Sequence, residues 1–190
     1  IKPIIGANVS IDFDLGHYDV LLLCQNHEGY LNLSELISKA YLNEQGISIV
    51  SVTEEQLISH QEGLLMIATP ISSDISQFLL TNELELAHSK AKHWQAIFKD
   101  RYYISVQRTD RHSDENLLNL TIELGLKLDI PVVATNDVQF LRKSDFDAHE
   151  ARICIAEGGL LDDSRRLKFF SNSQYLKTAD EMSELFKDYP

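Results

Sequence analysis

The sequence lacks any apolar run long enough to cross a bilayer. Its longest uninterrupted runs, residues 20–24 and 64–68, fall far short of the roughly 20 residues a membrane helix needs, which excludes a membrane partner of that kind. Cysteine is scarce: Cys24 and Cys154 are the only two in 190 residues. With no signal-peptide pattern, they read as reduced thiols in a cytoplasmic protein. Positive charge is outnumbered, since 17 Lys and Arg against 29 Asp and Glu leave a net charge of −12. Affinity for DNA rests on cations neutralising phosphates, so this balance argues against direct nucleic-acid binding by the chain. P-loop, Gly-x-Gly-x-x-Gly and Ser nucleophile-elbow motifs are missing too. Finally, there is no initiator Met, and Ile1-Lys2-Pro3-Ile4-Ile5-Gly6 reads at once as a strand. A domain rarely begins on a core strand, so the expectation is a fragment of a longer polypeptide.

What is present is an ordinary globular balance, with 44% apolar and 24% charged residues, in a length that suits one domain. Strand and helix patterns alternate. Residues 3–9 and 18–25 read as strands, the second with a nearly continuous apolar run that suits cover on both faces. Residues 32–43 read as a helix opened by an Asn32–Glu35 capping box, and residues 53–59 as a short one signalled by Thr53 and Gln56. A strand over 63–69, stopped by Pro70, precedes helices over 74–80 and 83–98. The second of these puts Leu84, Ala87, Ala91, Trp94 and Phe98 on one face. Then come a strand over 102–107, a helix over 113–128 and a strand over 132–135. Ser144 and Asp147 mark a helix from near Asp145 to 156, and Thr178 opens a last one. The alternation predicts an α/β fold with parallel pairing.

In such folds functional groups gather where strands end. Asn136 and Asp137 follow the strand over 132–135, and Asp147 and His149 form an Asp-x-His pair at a loop–helix junction. Asp12 and Asp14 follow the first strand, and His17 precedes the second. Converging carboxylates and imidazoles can bind Zn, Mn or Mg and activate water for phosphoester hydrolysis. The competing reading is structural: Asp137 turns the chain, and Asp147 interacts with a helix N-terminus. His27, His60, His88, His93 and His112 are isolated and read as surface histidines, and Arg165, Arg166 and Lys168 as a small basic loop.

Several segments together resemble a known family. They are Lys2-Pro3-Ile4-Ile5-Gly6, Gly29-Tyr30-Leu31-Asn32-Leu33 running into Leu36-Ile37-Ser38-Lys39-Ala40-Tyr41, Asp100-Arg101-Tyr102-Tyr103, Pro131-Val132-Val133-Ala134-Thr135-Asn136-Asp137-Val138, and Phe146-Asp147-Ala148-His149-Glu150. In this order they resemble the PHP (polymerase and histidinol phosphatase) domain of the bacterial DNA polymerase III alpha subunit. The likeness runs to Glu181-Met182-Ser183-Glu184-Leu185-Phe186 and so over essentially all of residues 1–190.

The resemblance implies a single PHP domain with a distorted barrel of about seven strands, lacking its first strand or strands. It also implies that about residues 160–190 lead toward the polymerase core of the same chain. Metal-binding members hold a metal cluster at the strand ends. Asp147 and His149 match the late ligand pair, His17 matches a histidine before the second strand, and Asp137 belongs to the same vestigial site. Three ligand positions are substituted, by Asn8, Thr109 and Gln139. The resemblance therefore implies a scaffold within DNA replication that docks the proofreading exonuclease subunit, with no catalytic residue and no cofactor of its own. The alternative it leaves is a Zn- or Mn-dependent phosphoesterase, acting as a 3'-5' exonuclease or pyrophosphatase. The parent polymerase, a nucleotidyltransferase, would use Mg in a part outside this chain.

Overall fold

The computed structural model describes residues 1–13, 16–43, 50–161 and 169–189. Its elements are β1 (Gly6–Phe13), β2 (Gly16–Cys24), α1 (His27–Asn43), β3 (Ser51–Val52), α2 (Glu54–Ser59), β4 (Leu64–Ala68), α3 (Asp74–Leu80), α4 (Leu84–Phe98), β5 (Tyr102–Gln107), α5 (Asp114–Leu128), β6 (Val132–Thr135), α6 (Phe146–Glu157) and α7 (Ala179–Leu185). The strands form one sheet in the order β3-β1-β2-β4-β5-β6. This is an α/β fold, compatible with a PHP-type distorted barrel. The chain divides into two compact units. The first holds Ile1–Val106 and Asn119–Val133, the second Gln107–Leu118 and the residues from Ala134 onward.

Parallel pairing holds for β1 with β3 and for β4 with β5. It fails for β1 with β2 and for β2 with β4, which are antiparallel. The reason is the link between the first two strands. Phe13 pairs with Gly16, and so short a link reverses the chain, whereas a parallel crossover needs about a dozen residues. Once β2 is reversed, a strand running with β1 lies antiparallel to it. The apolar run of β2 also alternates: Tyr18, Val20 and Leu22 are buried while Leu21 and Leu23 are half-buried. β4 comes nearer the two-sided expectation, with Leu64, Met66, Ile67 and Ala68 all buried.

α1 begins five residues before the expected Asn32. Its cap is Asn26, whose Oδ1 accepts from the Gly29 N–H at 3.0 Å, and Asn32 instead donates its side-chain amide to the Glu62 carbonyl at 2.8 Å. The helix start is pressed against the turn before β4. A Cβ on Gly29 would lie 1.9 Å from the Gly63 carbonyl oxygen, and Gly63 itself sits at φ +70°. Both positions therefore require glycine, one for contact and one for conformation. The predicted caps of α2 and α7 are formed: Thr53 pairs with Gln56, and Thr178 with Glu181, in full capping boxes. Ser144 does not cap α6. A short 3-10 turn over Lys143–Asp145 precedes that helix, held by the Arg142 N–H on the Asp145 carboxylate at 3.0 Å.

The core of the first unit centres on Trp94, fully buried with Ala87, Ala91 and Phe98 on the inward face of α4. Leu84, predicted on that face, is 43% exposed because it lies in the helix's first turn. Trp94 donates its indole N–H to Asp74 Oδ2 at 3.0 Å, and Asp74 Oδ1 accepts from the Ile75 N–H at 2.8 Å. Burial pushes the Asp74 carboxyl above the usual carboxylate range, against the pull of these donors.

Candidate functional site: a strand-end network around Asp137

In the first unit, Asn8 is an exposed β1 residue paired in register with Leu21. Asp12 lies within β1 rather than after it, directly opposite His17. Its Oδ1 meets His17 Nδ1 at 2.9 Å. The hairpin register creates this cross-strand pair, and both partners are substantially exposed, so its contribution to stability is small. Asp14, Arg165, Arg166 and Lys168 lie outside the described residues.

In the second unit the loops after β5 and β6 build a network around Asp137. This residue leaves β6 with a left-handed backbone, φ +44°, which aspartate tolerates better than most side chains. Both of its carboxylate oxygens are engaged. Oδ1 accepts from Gln139 Nε2 at 2.9 Å, and Oδ2 accepts from Arg111 Nη2 at 3.0 Å and from Gln174 Nε2 at 2.8 Å. Gln174 has no exposed surface. It spans the network, because its Oε1 accepts from the Ser171 N–H at 2.9 Å. Main-chain bonds run alongside: Gln139 N–H to the Gln174 carbonyl at 2.9 Å, and Leu176 N–H to the Phe140 carbonyl at 3.0 Å. Asn136, also buried, donates to the Tyr175 carbonyl at 2.7 Å and accepts from Lys177 Nζ at 2.8 Å.

Thr109 is fully buried, and its hydroxyl donates to Asp114 Oδ2 at 2.9 Å. Arg111 also donates Nε to the Phe169 carbonyl at 3.3 Å. A single guanidinium thus touches both the strand-end carboxylate and the returning chain.

Asp147 and His149 are not brought together with Asp137 by any bond among the described residues. Asp147 is exposed, in the first turn of α6, and has no hydrogen bond or ion pair among the described residues. His149 is 5% exposed and lies among aromatic rings, with centroids 4.8 Å from Phe170 and 5.4 Å from Phe140. Burial, reinforced by Arg152, holds its imidazole below the ordinary histidine range. Arg152 Nη2 stands 3.3 Å from Nδ1. Donation to that atom leaves the proton on Nε2, which is buried without a partner.

These residues do not fit a metal cluster. Asp137 has both oxygens committed, Thr109 is turned onto Asp114, Gln139 serves Asp137, and His149 is walled by rings. Among the described residues no group of three or more His, Cys, Asp or Glu is placed to hold a metal ion, whereas metal sites need several converging ligands. Sequence reasoning missed Arg111, Asp114 and Gln174, which carry most of the network. Arg108 and Arg111 bracketing Thr109 were a readable signal, but nothing in one sequence marks Gln174.

The PHP domain family matches residues 1–109, more than half of the chain. The DNA polymerase III subunit alpha of Pseudomonas fluorescens is 42% identical over 193 residues, covering all of this chain and 16% of that protein. Those of Escherichia coli K12 and Haemophilus influenzae are 38% and 36% identical, each again over the whole chain and 17% of the relative. The chain thus spans about a sixth of the length of these curated relatives. The expected resemblance therefore holds at the level of the family: this chain belongs to the PHP domain family.

Proposed function

We propose that the chain serves DNA replication as the PHP domain of a DNA polymerase III alpha subunit. In this reading it works as a structural scaffold and as a docking platform for the proofreading exonuclease subunit. His17, Asp137, Asp147 and His149 are the remnants of a phosphoesterase site, and Asn8, Thr109 and Gln139 occupy its lost ligand positions. The observation that carries this reading is the commitment of Asp137 to Arg111, Gln139 and Gln174. A carboxylate that coordinates a metal would compete with its own hydrogen bonds to a guanidinium and two amides, at a cost. The role left to the residue is cohesion, joining the end of β6 to the chain around residue 174. The net charge of −12 also favours a protein partner over DNA.

Complex formation tests the docking half of this reading. The intact polypeptide carrying this sequence, mixed with the exonuclease subunit of the same cell, should co-elute on size exclusion. Separate elution at micromolar concentration would remove the docking role. Phosphoester hydrolysis that Asp137→Asn abolishes would remove the scaffold role.

A further inference from the structure

The C-terminal end of the second unit is held in an unusual way. None of the residues of α7 is fully buried, and Met182 and Leu185 are half-buried, so apolar packing holds this helix only in part. Its first turn is tied by the Thr178–Glu181 capping box and by Tyr175, which donates its hydroxyl to Glu181 Oε1 at 2.7 Å. Its far end is tied by Arg108, the first residue after β5.

All five N–H groups of that guanidinium are used. Nε and Nη2 donate to the two oxygens of Glu115 at 2.7 and 3.2 Å. Nη1 and Nη2 donate to the two oxygens of Asp188 at 2.7 Å each, and Nη1 also donates to the Leu185 carbonyl at 2.6 Å. The guanidinium carbon lies 5.4 Å from the Phe186 ring centroid and 5.3 Å from that of Tyr189. Only a planar fork can meet two carboxylates bidentately and stack on aromatic rings at once, so lysine cannot replace it. The carboxyl of Asp188 is held below its ordinary range by this contact. Glu115 and Asp188 are both more than half exposed, whereas Arg108 is 16% exposed. The clasp is thus a covered cation reached by carboxylates that water and salt can also reach.

We propose that Arg108 is a charge clasp on a strap, residues 182–189, which unwinds when the clasp opens, freeing the Phe186 N–H from the Met182 carbonyl and the Tyr189 N–H from the Phe186 carbonyl, while the first turn of α7 and the Asp137 network stay closed. Opening leaves the carboxylates of Glu115 and Asp188 and the guanidinium to solvent, so rising salt favours the open form. The clasp and the Asp137 network rest on separate side chains of the same connection, Arg108 and Arg111. Each can therefore fail without the other.

Hydrogen exchange on the intact polypeptide tests this. The reporters on the strap are the amides of Phe186 and Tyr189. Those of Gln139 and Leu176 report the Asp137 network. Arg108→Met should speed exchange at Phe186 and Tyr189 by about tenfold or more, and Arg108→Lys by an intermediate factor, with Gln139 and Leu176 unchanged. In the unaltered protein, raising salt from about 0.1 M to about 1 M should act in the same direction, because screening shortens from about 10 Å to about 3 Å. Should Arg108→Met fail to fold, the paired substitutions Glu115→Gln and Asp188→Asn keep the arginine and should still free the strap. Unchanged exchange at Phe186 and Tyr189 in the variants, or an equal rise at Gln139 and Leu176, would overturn the proposal.

Discussion

Replacing Gln174 by leucine isolates what the Asp137 network contributes. Leucine is one bond shorter but similar in volume, so the buried position stays largely filled and little cavity energy is lost. Three polar contacts disappear: Ser171 N–H to Oε1 at 2.9 Å, and Nε2 to Asp137 Oδ2 at 2.8 Å and to the Asp137 carbonyl at 3.3 Å. An ordinary hydrogen bond contributes about 0.5–1.5 kcal/mol net, one to a charged group about 1.5–3, and an orphaned buried donor costs about 1–3. Against this, burying an aliphatic side chain returns about 1.5–3 kcal/mol. The balance is a destabilisation of about 2–3 kcal/mol for the second unit. It should appear as roughly 30- to 150-fold faster hydrogen exchange at Gln139 and Leu176, at 1.4 kcal/mol per factor of ten. Exchange within about twofold of the unaltered protein would refute the reasoning, because it would mean that Gln174 is a passenger and that Arg111 and Gln139 alone hold Asp137.

Three further outcomes follow from the same geometry. Gly29→Ala places a Cβ 1.9 Å from the Gly63 carbonyl oxygen, so α1 must move and the first unit should lose about 1–3 kcal/mol or more by chemical denaturation. Trp94→Phe removes the N–H that Asp74 Oδ2 accepts. A carboxyl with a raised folded pKa lowers stability as pH climbs from about 3.9, the unfolded value, through the folded one. Losing a donor raises the folded value further, so denaturant midpoints for Trp94→Phe should fall more at pH 7 than at pH 5. Asp147→Asn should change stability by no more than about 0.5 kcal/mol, because the residue is exposed and forms no bond among the described residues. A melting temperature lowered by many degrees would show that it is paired after all.

The periodic elements were legible because local rules decide them. The strands over 102–107 and 132–135, the helix α3 and the capped α2 and α7 stand where apolar spacing and cap chemistry put them. The start of α1 was misread because the Asn32–Glu35 pattern satisfies the capping rule, while the decisive contact, Gly29 on Gly63, joins positions far apart in sequence. Pairing direction was misread because alternation of strands and helices ignores the shortness of the β1–β2 link. At the site, the resemblance drew attention to Thr109, Asp137 and Gln139, but their partners were not legible. Thr109 on Asp114 is local, whereas Asp137 with Arg111 and Gln174 depends on loops that only the fold brings together. His149 was read as half of an Asp-x-His pair. The structure surrounds it with Phe140 and Phe170 and sets Arg152 against its Nδ1, contacts that hydropathy spacing does not encode.

The central claim is that the remnants of the phosphoesterase site serve cohesion and not coordination. Elemental analysis of the intact polypeptide after exhaustive dialysis, set beside that of Asp137→Asn and His149→Ala, tests it most directly. The account predicts Zn and Mn well below one equivalent in all three proteins, with Asp137→Asn marked only by faster exchange at Gln139 and Leu176. Stoichiometric Zn or Mn in the unaltered protein, lost in either variant together with hydrolysis of a phosphoester, would contradict it.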